Sequence, residues 1–141
     1  MRKYHLWVGV LIVVVFLVTG QFMRHHEPPM GALSDSTRLM FRSRHTYLLA
    51  SGLVNLMLGL YLRQAEGWRG IGQMIGSGLL VASPALLTLA FTVEPERGFQ
   101  TEMWWSAAGL YAQFGGCMCH LASGIGKPHQ EPEAKTARPV G

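Results

Sequence analysis

Residues 38–63, RLMFRSRHTYLLASGLVNLMLGLYLR, carry the pattern that the rest of the chain repeats. Arg38, Arg42 and Arg44 lead up to His45, and no charged residue follows until Arg63. An uncharged run of about 17 residues is just long enough for one helical crossing of a bilayer core. Along it His45, Leu48, Gly52, Asn55 and Gly59 recur at steps of three and four, which puts them on one helix face. Small and amide side chains on one face suit a helix packed on other helices, not one facing lipid. Three further runs, 4–23, 70–93 and 103–126, are equally free of Lys, Arg, Asp and Glu. A soluble helix would carry charge at helical period, and no run shows the alternation of a barrel strand. The pattern therefore predicts an all-α, integral membrane four-helix bundle with spans at 4–23, 45–62, 70–93 and 103–126.

The connections refine this picture. The first run opens on Met-Arg-Lys and has an apolar centre at residues 6–18, within signal-peptide range, with Val18-Thr19-Gly20 as a cleavage site. Apolar character continuing through Phe22 and Met23, with Tyr4 and Trp7 as interfacial anchors, favours a retained span. Residues 24–44 form the longest, external loop, where Pro28, Pro29 and Gly31 mark turns and Ser36 is placed to cap a short interfacial helix over 37–43. The tight loop at 64–69 makes spans two and three antiparallel neighbours. Gly72-x-x-x-Gly76 is a close-packing signature. Pro84 should free the Leu80 carbonyl, and Glu94-Pro95-Glu96-Arg97-Gly98 should end span three. Residues 127–141 are Pro-rich and charged, which predicts a disordered cytoplasmic tail.

Composition changes the picture little. The 14% of charged residues is low and the mean hydropathy of +0.20 is positive. The net charge of +4 comes from basic residues beside span ends, where they anchor to headgroups, so nucleic acid is not an expected partner. Four crossings put Arg2, Lys3, Arg63, Arg69, Lys127, Lys135 and Arg138 on one side and Arg24, Arg38, Arg42, Arg44 and Arg97 on the other. The positive-inside rule then gives N-in and C-in in a bacterial inner membrane. Cys117 and Cys119 are one residue apart on a helix and form no disulfide framework.

Candidate chemistry falls into three groups. Asn55, Ser83 and Gln113 share a depth near the bilayer middle and are expected to form one structural hydrogen-bond cluster with the Leu80 carbonyl. Arg42, Arg44 and His45 face Glu94 and Glu102 at the outer interface, where an interfacial charge latch is expected. At the inner face His5 and His120 could oppose each other, with Gly9 and Gly116 making room for a flat ring. That is the donor set for haem b, while Cys117 with His120 suits copper. The competing reading needs no cofactor, His120 being hydrogen-bonded to a neighbour. His25 and His26 lie in a polar loop and read as solvated.

His5-Leu6-Trp7-Val8-Gly9, an apolar stretch and then Thr19-Gly20 resemble the opening helix of PepSY-associated transmembrane proteins and of some b-type cytochrome subunits. The resemblance spans one helix, and it implies a haem-ligand role for His5 alone. No nucleophile elbow, phosphate loop, HExxH or paired membrane carboxylate points to an enzyme. The expected function is a binding or scaffolding subunit of a membrane assembly, with lipid and either a second copy or a larger membrane protein as partners. The alternative is a small haem b or copper protein using His5 and His120.

Overall fold

The computed structural model describes residues 1–97 and 103–124. Four helices fill it: α1 (Arg2–Arg24), α2 (Asp35–Tyr61), α3 (Trp68–Arg97) and α4 (Trp104–Gly124), with a 3-10 turn at Met30–Ala32 and no strand among the described residues. Glu102, the end of the fourth run and the tail 127–141 lie outside the described residues.

The helices pack as two hairpins, α1 on α2 and α3 on α4, joined along α2 and α3. Glycine sets both hairpin spacings. A Cβ on Gly59 would sit 2.7 Å from the Leu6 backbone, and one on Gly9 2.7 Å from Leu56, so α1 and α2 approach as far as their backbones allow. In the second hairpin Gly76 and Gly116 face each other, and a Cβ on Gly116 would meet the Gly76 carbonyl at 2.8 Å. Arg2 reaches across to the Gly59 and Leu60 carbonyls, covering part of the α2 C-terminus. The turn into α3 uses Gly67 at φ 64, and the Gln73 side chain bonds both Ala65 N–H and the Arg63 carbonyl across the loop.

One boundary differs from the sequence reading. The stretch 37–43 is no separate interfacial helix but the first turns of α2, which is capped by Ser34, not Ser36, through Thr37 N–H at 3.2 Å. Nothing between residues 43 and 45 breaks the helix, so it runs straight on. α3 is described as far as Arg97, inside the Glu94-Pro95-Glu96-Arg97-Gly98 stretch expected to end it.

What is buried is unusual. Phe41, Leu48, Leu87 and Phe91 form a small apolar core, but His5, Thr19, Arg44, Ser51, Asn55, Ser77, Ser83, Glu94 and Ser106 are buried beside it. Large apolar side chains stand outside: Trp7 is 72% exposed and Tyr111 77%, with Leu11, Leu53, Ile71 and Phe114 similarly bare. By length and composition α1 and α3 are each able to cross a membrane.

Candidate functional site

Polar groups gather at two levels of the bundle. The near end is where α1 begins and α2 and α4 finish; the far end is where α2 begins and α3 finishes.

Near the near end, His5 of α1 is 1% exposed and its Nδ1 lies 2.8 Å from Asn55 Oδ1 of α2. Asn55 Nδ2 donates to two carbonyls, Ser51 on its own helix and Leu80 on α3, each at 3.0 Å. Leu80 is the residue whose carbonyl Pro84 cannot use, so the amide fills the gap that the proline leaves. With both amide hydrogens committed, Asn55 Oδ1 can only accept. His5 Nδ1 therefore donates this bond. His5 Nε2 and Ser51 Oγ are buried without a partner.

His120 of α4 is the nearest ring. Its centre lies 6.1 Å from that of His5, with the planes at 77°. Ser77 Oγ of α3 holds His120 Nε2 at 3.2 Å. The outer side of His120 lines a cavity of about 490 Å³ between the ends of α2, α3 and α4.

At the far end Arg44 of α2 and Glu94 of α3, 3% and 4% exposed, form a buried ion pair at 2.7 Å. Arg44 Nε donates to the same carboxylate at 2.8 Å, and α4 adds the Ser106 N–H at 2.9 Å and the Ser106 hydroxyl. The remaining guanidinium hydrogens go to Ser43 Oγ, the Met40 carbonyl and Met103 Sδ. Both charges are thus satisfied by partners on three helices, the condition a buried pair must meet. His45 turns away from this pair toward α1. It stacks on Phe16 at 4.0 Å and bonds Thr19 Oγ1 at 3.0 Å.

The candidates named from sequence are therefore sorted as follows. Arg44 and Glu94 meet; Arg42 is exposed, His45 serves α1, and Glu102 lies outside the described residues. Asn55, Ser83 and Gln113 do not make one cluster. Ser83 donates to the Gly109 carbonyl and lies 3.4 Å from Gln113, in the second hairpin, whereas Asn55 belongs to His5 and Leu80. Equal depth says nothing about which way a side chain points around its helix.

The residues do not fit haem. The space beside Gly9 is taken by Leu56, and that beside Gly116 by Leu80 and the Gly76 backbone, so no slot for a flat macrocycle opens between the rings. Cys117 is a half-buried free thiol, and no three His, Cys, Asp or Glu side chains converge among the described residues. Sequence reasoning passed over the bonding roles of Ser106, Met103 and Arg2. The signal for Ser106 was there, since it continues the Gly109, Gly116, Ser123 face by one step of three.

Comparison with known proteins adds no relative: no family model, no curated protein and no solved structure matches the chain.

Proposed function

We propose that the chain is a four-span inner-membrane bundle, N-in and C-in, acting as a non-enzymatic binding or scaffolding subunit of a membrane assembly. The observation that carries this reading is the surface: many large apolar side chains stand exposed along all four helices, while polar groups such as His5, Asn55, Arg44 and Glu94 are buried beside the apolar core. In water such a surface would expose far more contiguous apolar area than a monomer tolerates; in lipid it is the expected one. The exposed aromatics support it. Tyr4, Trp7, Tyr61 and Trp68 ring the near end and Trp104 and Trp105 stand at the far end, as interfacial belts do. On this reading α2 and α4 cross with their hairpin partners, since Leu53, Met57 and Leu60 on one and Leu110, Phe114 and Leu121 on the other face outward.

The glycine ridges of α2 and α3 are consumed inside the bundle, so they offer no partner a seat. The exposed small stripe is Gly78, Ala82 and Ala85 on α3, where a Cβ on Gly78 would meet nothing within 4 Å. A second helix would seat there, from another copy or a larger membrane protein. Reporter fusions in the loop at residues 62–67 and after residue 126 should both report the cytoplasm. Chemical crosslinking in native membranes then tests the stripe. Gly78→Leu with Ala82→Ile should remove the crosslinked species while leaving the bundle's melting unchanged, and an unaltered crosslink pattern would reject the scaffold.

A further inference from the structure

We propose that the near end of the bundle holds one anionic phospholipid, its phosphate against Arg2, Lys3 and Arg63 and an acyl chain in the cleft from Arg63 to Met57. This site rests on the membrane reading above, in which the near end faces the cytoplasm. Two cavities there share Leu62 and Arg63 as lining residues. The first, of about 640 Å³, lies between the opening turn of α1 and the loop after α2. Arg2, Lys3 and Arg63 all border it, and no carboxylate does. The second is the cavity of about 490 Å³ beside His120, walled mainly by Met57, Leu58, Tyr61 and Leu62. A charged chamber thus opens beside an apolar one, with Arg63 at the join.

The cations are placed before any ligand arrives. Arg2 is held by the Leu60 carbonyl at 2.7 Å, and the Arg63 backbone is tied by Gln73 Nε2 at 3.0 Å. Other basic side chains already have company: Arg44 pairs with Glu94, Arg38 with Asp35, and Arg69 lies over the Trp68 ring. The Lys3 and Arg63 side chains have no hydrogen-bond or ion-pair partner among the described residues. Phosphate is the matching group, since Arg offers its oxygens a fork of donors and Lys a point charge. Basic pockets at cytoplasmic helix ends take anionic headgroups for this reason. The apolar cleft selects a lipid over a free phosphate. Met57 lies about 9 Å deeper along α2 than Arg63, so a chain leaving the headgroup there runs toward the bilayer middle. Tyr4 borders the charged chamber and Tyr61 the apolar one, both largely exposed, as side chains at headgroup level are.

The test is native mass spectrometry of the full chain in detergent, titrated with phosphatidylglycerol or with phosphatidylcholine of the same acyl chains. The expected result is one phosphatidylglycerol per chain, retained at collision energies that strip phosphatidylcholine. Lys3→Gln with Arg63→Gln should weaken binding by about 30-fold, the effect of two interfacial charges. Arg24→Gln with Arg42→Gln removes the same charge at the far end and should leave binding unchanged. All four side chains are exposed, and melting followed by circular dichroism checks that both double variants fold. Equal losses in the two double variants would make the effect one of net charge and overturn the site. Displacement of the lipid by millimolar glycerol 3-phosphate also overturns it, because the phosphate alone would then suffice. A detergent-dependent chain that binds both lipids equally overturns the site and leaves the membrane reading standing. A chain that stays dissolved without detergent overturns both.

Discussion

The two ends of the bundle solve the same problem, polar groups out of water, in opposite ways. At the far end two full charges are buried: every Arg44 guanidinium hydrogen goes to Glu94, Ser43, Met40 or Met103, and the Glu94 carboxylate also accepts from the Ser106 N–H and hydroxyl. At the near end no charge is buried, yet His5 Nε2 and Ser51 Oγ are left without partners. The costlier groups are the better satisfied ones, because an unpaired buried charge would unfold the bundle whereas an unpaired imidazole nitrogen only weakens it. Complete satisfaction marks the far end as a clasp between α2, α3 and α4. Incomplete satisfaction marks the near end as the less tightly tied of the two levels among the described residues.

The sharpest way to break this contrast is to cut the clasp. Arg44→Met or Glu94→Leu alone should cost about 3–5 kcal/mol in reversible unfolding from mixed micelles, because each strands a buried charge. The double variant should recover most of that loss; single variants costing as little as an exposed pair would mean the charges are not buried together. Next in size is the hairpin that carries His5. Gly59→Val drives a side chain into the Leu6 backbone and should destabilise by about 1–3 kcal/mol, whereas Gly78→Val, pointing at open space, should not. Matching melting curves for those two variants would contradict the close approach of α1 and α2.

Asn55→Leu comes third, with a loss of about 1–3 kcal/mol, since it strands both the His5 N–H and the Leu80 carbonyl. Asn55→Asp sharpens the comparison further. It keeps an acceptor for His5 and loses both donors, so if the Leu80 bond matters it should not rescue the Leu variant. The smallest effect belongs to Thr19→Val, which removes one bond to His45 and should cost about 0.6 kcal/mol. A loss several times larger would mean that His45 depends on Thr19 as His5 depends on Asn55.

Much of the fold was legible before any coordinates. Each of the four uncharged runs coincides with one of the four helices. Helix ends were read less well. The first turns of α2 carry Arg38, Arg42 and Arg44, so hydropathy alone placed them in a loop, although Ser34 was available as the cap. The stretch Glu94-Pro95-Glu96-Arg97-Gly98 was read correctly as the end of α3, which is described to Arg97. The stripe Leu48, Gly52, Asn55 and Gly59 is buried as its spacing required.

The candidate site was legible as residues and not as bonds. Periodicity named Asn55, His5 and His120 and put Arg44 near Glu94, because the 3.6-residue repeat and the constant rise per residue fix face and height within each helix. Rotation of one helix against another is not written in either quantity. The packing of Gly9 on Leu56 and Gly59 on Leu6 brings His5 onto Asn55, while the packing of Gly109 on Leu87 and Gly116 on Gly76 brings Ser83 onto α4 and away from Asn55. Sequence by itself determined which segments are helices and which of their faces are polar, since both follow from local spacing. Only the tertiary structure decided which polar group meets which, because glycine contacts between distant helices choose the partner.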